Sequence, residues 1–286
     1  MIKESELILN PDGSIYHLKL KPEMLADTVL LVGDPGRVEM VASFFDTIEY
    51  QVQNRELFTT TGYFKGKRVS VVSTGMGTDN LDIVINELDA LVNIDLEKRE
   101  IKKEHKTLNL IRLGTSGALQ KNIPVNSLVV SEYGVGLDGL MNYYVMKEGL
   151  VDESLSEAFI EQTQWPKNFA KPYFIKASEG LMDRLGKGLI KGVTATAPGF
   201  YGPQGRVLRL GLSFPEMNDR IEAFEKNGYK VTNFEMETSA LYGLGQQLGH
   251  NTLTICAIIA NRVTKEYSKD YKSIVKDMVE TVLNRL

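Results

Sequence analysis

Short apolar runs alternate along the chain with longer segments in which apolar residues recur every three or four positions. Runs of the first kind are typical of buried strands, and segments of the second kind are typical of amphipathic helices. The runs that predict strands are Thr28 to Val32, Phe58 to Tyr63, Arg68 to Ser73, Leu108 to Leu113, Ser127 to Ser131, Tyr173 to Ala177, Val193 to Ala197 and Thr252 to Ala260. The segments that predict helices follow Asp34 and Gly77, and also cover Glu235 to Leu248 and Asp270 to Leu286.

This alternation predicts the α/β fold class. Strands separated by helices tend to pair in parallel, and both faces of such a sheet must be covered. The chain shows no linker, internal repeat or low-complexity segment, so residues 1–286 are expected to form a single domain with a central mixed, largely parallel sheet flanked by helices. Ligands of such sheets collect at the carboxyl ends of the strands, and the functional site is expected there.

Composition narrows the class of protein. The net charge is -4 and no long basic stretch occurs, so no nucleic-acid partner is expected. No apolar run approaches the length of a membrane span, and residues 1–10 lack the apolar centre of a signal peptide. We therefore expect no membrane partner and a cytoplasmic location. The single cysteine, Cys256, excludes an intrachain disulfide and is interpreted as a buried strand residue.

Glycines and arginines stand together where predicted strands end. Gly33 precedes Arg37, and Arg112 precedes Gly114 and Thr115. Glycine lets a ligand approach the backbone closely, amides at a helix start favour an anion, and arginine matches the geometry of phosphate. Each pair alone is also compatible with a solvated arginine beside an ordinary turn. The set is stronger, because the fold class would bring these strand ends to one edge and predicts an anion site there.

Several other chemistries lack support. The chain contains neither the G-x-x-x-x-G-K-[ST] phosphate loop nor a G-x-G-x-x-G fingerprint after its first strand. His17, His105 and His250 are scattered without the spacing of a metal site, so no metal is expected. Ser116 lacks the G-x-S-x-G context of a nucleophile elbow.

Four blocks of sequence carry more information together than any one alone. Glu235 and Glu237 by themselves would be interpreted as carboxylates at a helix start, where the dipole favours them. The four blocks are Gly33 to Arg37, Ser73 to Gly77, Arg112 to Gly117 and Asn233 to Glu237. In order and spacing they resemble the signature blocks of the nucleoside phosphorylase-I family, and the likeness runs from about His17 to the C-terminus. It implies a nucleoside phosphorylase-like fold and an enzyme that splits a nucleoside with inorganic phosphate.

One further segment resembles a branch of that family. The sequence from Phe200 to Arg206 is similar to the F-Y-x-x-Q-x-R loop of uridine phosphorylases, where the glutamine and the arginine hydrogen-bond to uracil. Asn261 stands where the hexameric purine phosphorylases carry an aspartate that protonates the purine, and an asparagine cannot serve as that acid. The resemblance therefore implies a pyrimidine nucleoside as substrate, uridine above all.

The resemblance also implies a role for particular residues. Phosphate binding is implied for Gly33, Arg37, Arg112 and Thr115, together with Arg55 from an adjacent subunit; ribose binding for Met236, Glu237 and a neighbour's His17; and base binding for Ser116, Gly117, Phe200, Gln204, Arg206 and Ile259. Arg37, Arg112, Arg206 and Glu237 are the residues expected to carry catalysis. The partners implied are a nucleoside, phosphate as co-substrate with no cofactor, and further copies of the chain, as a dimer that shares its sites and as a hexamer of three dimers.

Three alternative functions stay open at this point: a purine nucleoside phosphorylase, a nucleosidase of the same fold, and a non-catalytic nucleoside-binding protein. Asp79 supports the last, because the family usually has Gly-Pro-Ser where this chain has Thr78 to Asn80. We expect Asp79 to cap the helix that follows. The charged stretch from Glu97 to Lys106 is interpreted as a solvated helix end or loop.

Overall fold

The first strand and helix show how local sequence directs the fold. The computed structural model describes residues 1–286, and its first strand covers Thr28–Val32, as predicted. Asp34 then accepts a hydrogen bond from the backbone N–H of Gly36 at 2.9 Å, and Pro35 begins the helix. Both are the residue types preferred at these positions, since an N-cap needs an acceptor and proline lacks the N–H that a first turn leaves unpaired.

Thirteen strands and seven α-helices follow one another along the chain. Short 3₁₀ turns lie at Pro22–Met24, Leu140–Tyr143 and Gly202–Gln204. In chain order the elements are β1 Thr28–Val32, α1 Pro35–Ala42, β2 Thr47–Asn54, β3 Leu57–Phe64, β4 Lys67–Ser73, α2 Thr78–Asn93, β5 Ile94–Asp95, β6 Glu100–Ile101, β7 Asn109–Ala118, β8 Leu128–Gly136, α3 Glu153–Thr163, β9 Tyr173–Lys176, α4 Glu179–Leu185, β10 Ile190–Thr196, α5 Met217–Ala223, β11 Val231–Glu235, α6 Thr238–Gln247, β12 Asn251–Asn261, β13 Glu266–Tyr267 and α7 Tyr271–Arg285.

The main sheet is mixed, as the sequence predicted, and β7 is the strand that joins its two parts. On one side β4, β1, β7 and β12 are parallel neighbours. On the other side β8, β10 and β11 are parallel to one another. Because β11 pairs antiparallel with the carboxyl end of β7, and β12 pairs antiparallel with β8, five strands close into a ring. The closure brings the ends of β7, β11 and β12 together.

Helices cover the sheet and bury two main groups of apolar side chains. The larger group lies between the sheet and helices α2, α6 and α7. The smaller one is rich in aromatic rings, with Phe159, Phe174 and Phe224 in mutual contact beneath α3 and α5. None of the seven α-helices combines the length and the apolar composition that a membrane span requires.

Four local predictions need correction. Gly114 to Gly117 do not break a strand but lie inside β7, which runs on to Ala118. Glu235 ends strand β11 rather than opening a helix, and α6 begins at Thr238. The stretch from Glu97 to Lys106 contains strand β6, which forms a small hairpin with β5. Asp79 is in the first turn of α2, whereas the N-cap is Gly77 and makes no side-chain capping bond.

Candidate active site

Arg112 lies at the centre of the site, on β7. Its side chain is 7% exposed, and its guanidinium folds back over its own strand. A Cβ placed on Gly114 would be only 2.7 Å from the Cζ atom of Arg112. Gly114 is therefore required for this arrangement, because any larger side chain would push the guanidinium away. The Arg-x-Gly pattern seen in the sequence thus has a direct steric reason.

Two buried carboxylates hold that guanidinium. Nη1 of Arg112 is 3.1 Å from Oε2 of Glu235, and Nη2 is paired with Oε2 of Glu237. Glu235 also accepts hydrogen bonds from the hydroxyl of Thr196 and from the first backbone N–H groups of α6, including that of Thr238. Glu235 therefore links Arg112 to the first turn of α6. The sequence analysis interpreted Glu235 only as a carboxylate at a helix start and missed this ion pair.

Arg112 and Glu235 shift one another's pKa. Burial alone would lower the pKa of Arg112, but the carboxylates of Glu237 and Glu235 outweigh burial and raise it. Burial raises the pKa of Glu235, and Arg112 opposes that rise. A guanidinium offers five N–H donors, so Arg112 retains donors for a ligand after binding both carboxylates.

Arg37 brings a second positive charge to the same place. It extends from α1 and donates from Nη1 to the carbonyl oxygen of Leu113 on β7 at 3.2 Å. Burial, and then repulsion from Arg112, lower its pKa. Two half-buried residues lie along the neighbouring strands. Gly33 directly follows β1, and Thr115 is on β7 with a hydroxyl that makes no hydrogen bond within the chain. Two mutually repelling guanidinium groups in a partly buried space favour an anion between them.

The loop after β4 contacts this cluster. The backbone N–H of Gly77 donates to Oε1 of Glu237 at 2.8 Å, and the N–H of Met236 donates to Oε2 at 3.3 Å. Gly75 has φ of +71°, in the left-handed region that favours glycine. Glu237 is thus held in one orientation by two backbone amides and Arg112, and its remaining lone pairs can accept hydrogen bonds from sugar hydroxyls.

Three of the predicted base-binding residues, Phe200, Gln204 and Arg206, form a second cluster. Gln204 is buried, and its Oε1 accepts a hydrogen bond from Nη1 of Arg206 at 2.7 Å. The guanidinium of Arg206 stacks over the ring of Phe200 with 3.8 Å between its Cζ and the ring centroid. Because Oε1 faces an arginine, the Nε2 amide of Gln204 is free to donate to a carbonyl oxygen.

Arg262 belongs to the second cluster, and the sequence analysis missed it. It donates to the backbone oxygen of Gln204, and its Cζ is 5.7 Å from the ring centroid of Phe234 on β11. Its aliphatic carbons also pack against Gly117, 3.4 Å from the position that a Cβ would take there. Burial, together with repulsion from Arg206, lowers the pKa of Arg262 to about 10, so it remains charged at neutral pH. The available signal was a cation directly after a buried strand, at the edge where ligands bind.

Three other residues of this edge have different surroundings. Ser116 is buried and accepts a hydrogen bond from Asn233 at 2.9 Å. Ile259 is half-buried near the end of β12. Asn261 uses its whole amide: Nδ2 donates to the carbonyl oxygens of Gln120 and Ile123, and Oδ1 accepts from two backbone N–H groups. Asn261 therefore has no free group for a ligand.

His17 and Arg55 lie apart from both clusters but close to one another. Nδ1 of His17 is 2.6 Å from Oε1 of Glu87 on α2, and Asn54 donates to the backbone oxygen of His17 at 2.8 Å. Arg55 is exposed in the turn between β2 and β3, with φ of +53°. Neither side chain hydrogen-bonds to Arg112 or Glu237. The remaining predicted site residues lie toward the carboxyl ends of the strands, whereas the side chains of these two make no hydrogen bond to either cluster.

The arrangement has the parts of a glycosyl-transfer site. A pair of arginines can bind an anion, a fixed carboxylate can bind sugar hydroxyls, and an amide between two arginines can bind a polar base. A family model described as the phosphorylase superfamily matches residues 27–286, and the chain belongs to that family. Within it the chain is a nucleoside phosphorylase, and hence a pentosyltransferase. The resemblance noted in the sequence is confirmed.

Relatives with two substrate classes are similar to this chain. A uridine phosphorylase from Thermococcus kodakarensis is 33% identical, covering 90% of this chain and 81% of that protein. A DeoD-type purine nucleoside phosphorylase from Alkaliphilus metalliredigens is 27% identical, covering 93% and 97%. Among solved structures, a nucleoside phosphorylase from Trypanosoma brucei that shows uridine phosphorylase activity matches with a TM-score of 0.87 and 31% identity, covering 98% of this chain and 99% of that chain.

Proposed function

We propose that this nucleoside phosphorylase cleaves uridine with phosphate to give uracil and ribose 1-phosphate. The observation that carries the proposal is the orientation of Gln204, whose Oε1 accepts from Arg206 at 2.7 Å and whose Nε2 is left to donate. An amide donor flanked by two guanidinium groups matches a base edge rich in carbonyl oxygens. Uracil has such an edge, and the uridine phosphorylase activity of two similar proteins supports the same choice.

The base cluster also suits the way a pyrimidine leaves. Uracil departs with negative charge spread onto its carbonyl oxygens, and fixed cations stabilise charge that develops in the transition state. Arg206 and Arg262 provide two such cations, both within reach of Gln204. A purine would instead be helped by an acid, and Asn261 is neither an acid nor free to move.

The phosphate and ribose are assigned to the first cluster. Burial and repulsion from Arg112 lower the pKa of Arg37, and phosphate bound between the two arginines would relieve that repulsion. Glu237, held by Gly77 and Arg112, would bind the ribose hydroxyls beside it. Cleavage of an N-glycosidic bond builds positive charge on the ribose, as in glycosidases, and a phosphate dianion below the sugar stabilises that charge before attacking C1′. Much of the catalysis is therefore orientation of the two substrates.

The test compares uridine and inosine with and without phosphate. We expect kcat/KM for uridine to exceed that for inosine by at least about 100-fold, since sites built to hydrogen-bond a polar edge discriminate strongly. Uracil release should require phosphate, and Arg112→Ala should abolish most of it. Faster cleavage of inosine would show a purine phosphorylase, equal uracil release without phosphate would show a nucleosidase, and no cleavage of either would show a binding protein.

We also propose that two chains share each active site. Within one chain the arginines Arg37 and Arg112 are balanced by the carboxylates Glu235 and Glu237, so the anion site has little net positive charge of its own. A third cation is needed, and Arg55 is exposed beside the loop that carries His17. In a symmetric dimer each chain would donate this pair to the other. Three such dimers would form the hexamer that the family resemblance implies.

A further inference from the structure

Asp89, His105 and His250 form a compact cluster away from the catalytic edge. Asp89 is on α2, His105 precedes β7, and His250 precedes β12. One ligand atom from each residue lies within 4.8 Å of the other two. The cluster is thus at the amino ends of β7 and β12, whereas Arg112 and Asn261 are further along those strands. Although the three histidines are scattered in sequence without metal-type spacing, the fold brings His105 and His250 together.

His250 has a buried nitrogen without a partner. Its side chain is 0% exposed. Nδ1 accepts a hydrogen bond from the backbone N–H of Leu108 at 3.2 Å. Nε2 is 3.2 Å from Oδ1 of Asp89, but the orientation makes no hydrogen bond. Buried polar atoms are nearly always satisfied by a protein group, water or an ion, so this nitrogen indicates a ligand.

His105, the exposed member of the cluster, uses only one of its ring nitrogens in a hydrogen bond. Its Nε2 is 2.8 Å from the carbonyl oxygen of Leu248, which can only accept, so Nε2 carries the proton and Nδ1 has a free lone pair. The ring stacks on His250 with 5.8 Å between centroids. A Cβ on Gly249 would be 2.9 Å from this ring, and Gly249 has φ of +86°, so glycine is required to seat His105 here.

We propose that Asp89, His105 and His250 bind one divalent transition-metal ion of the zinc class. Two imidazole nitrogens and one carboxylate oxygen, completed by water, are a common zinc ligand set. Imidazole favours zinc, cobalt and nickel over magnesium and calcium, which prefer oxygen. Small movements of the exposed His105 would bring the three ligand atoms to coordination distance. A metal-bound histidine typically donates a hydrogen bond from its second ring nitrogen to a carbonyl oxygen, as Nε2 of His105 donates to Leu248 here.

Coordination by His250 requires a rearrangement. Because Leu108 donates to Nδ1, the ring proton of the metal-free protein is on Nε2. Metal binding through Nε2 of the neutral imidazole moves that proton to Nδ1, which can then no longer accept from Leu108, so this hydrogen bond is lost. The loss of one such bond lowers affinity by roughly tenfold. Binding should also weaken in acid, since protons compete for the same ligand atoms.

The bound ion would tie three segments together. It would connect α2 to the loop before β7 and to the turn between α6 and β12, without contact to substrate. The site is therefore structural, and its occupation should be visible in stability. A ligand that binds only the folded chain raises the melting temperature in proportion to the logarithm of its concentration above Kd.

Calorimetric titration of the chelator-treated full-length protein with zinc chloride tests the proposal. We expect one zinc ion per chain, a higher Tm with zinc but not with magnesium, and the visible absorption bands of four-coordinate cobalt on titration with cobalt chloride. His105→Gln changes an exposed side chain, so the fold should survive, and affinity should fall by at least about tenfold. Asp89→Asn should have the same effect.

His17→Gln is the matched control, because His17 is the third histidine of the chain and also pairs with a carboxylate of α2. This variant should bind zinc as the unaltered protein does. Absence of zinc binding to the unaltered protein would overturn the proposal. So would binding that is undiminished in both His105→Gln and Asp89→Asn, or binding that disappears in His17→Gln.

Discussion

Replacing Gly114 by alanine tests whether the backbone of β7 positions Arg112. The added Cβ would be 2.7 Å from Cζ of Arg112, whereas carbon atoms in contact are about 3.5 Å apart, so the guanidinium must move by about 1 Å. The 3.1 Å ion pair with Glu235 would then be lost. Leaving a buried carboxylate without its partner costs about 3–5 kcal/mol, and a 1 Å misplacement of a substrate-positioning group can lower the rate about 100-fold.

We therefore expect Gly114→Ala to lower the free energy of unfolding by about 3 kcal/mol and kcat/KM by about 100-fold. Urea denaturation and initial rates of uracil release at varied phosphate measure the two effects. Gly180→Ala is the matched control: no atom lies within 4 Å of the Cβ position, and α4 should gain up to about 1 kcal/mol in helix propensity. If Gly114→Ala matched the unaltered protein in both measurements, the steric explanation for the Arg-x-Gly pattern would be refuted.

Two further predictions concern the base cluster and the shared site. Arg206→Ala removes a cation that contacts Gln204, and should cost about 2–4 kcal/mol of transition-state stabilisation for uridine, measured as kcat/KM, with little change in the KM for phosphate. Co-refolding the inactive double variant His17→Ala, Arg55→Ala with inactive Arg112→Ala should restore about a quarter of the sites, because random pairing makes half of the dimers mixed. Mixed dimers that form but regain no activity would rule out sharing.

Much of the local structure near the first strand could be predicted from sequence. Thr28 to Val32 is a continuous apolar run, and Asp34 followed by Pro35 is a strong helix-start signal, so β1 and α1 appear as expected. These signals act over a few residues and do not depend on the rest of the fold. The gathering of Gly33, Arg37 and Arg112 also followed from the general rule that parallel strands end at one edge.

Features set by distant contacts could not be predicted in this way. The glycines of the segment Gly114 to Gly117 predict the end of a strand, yet β12 pairs with the whole segment and keeps it extended. The local sequence predicts a helix start at Glu235, but parallel strand pairing with Thr196 on β10 keeps Glu235 in β11. His105 and His250 are 145 residues apart in number yet stack on one another. In each case the decisive partner is far away in sequence, where propensity and periodicity carry no information.

The four hydrogen bonds of Asn261 restrict how substrate preference can change during evolution. Two of them donate to the carbonyl oxygens of Gln120 and Ile123. An ionised aspartate cannot donate, so its carboxylate would face two carbonyl oxygens in a buried space. A single change to aspartate at this position would therefore destabilise the chain. If the chain cleaves uridine as proposed, gaining a purine-protonating acid here would first require remodelling of the turn from 120 to 123, so a change of stability would have to precede the change of substrate.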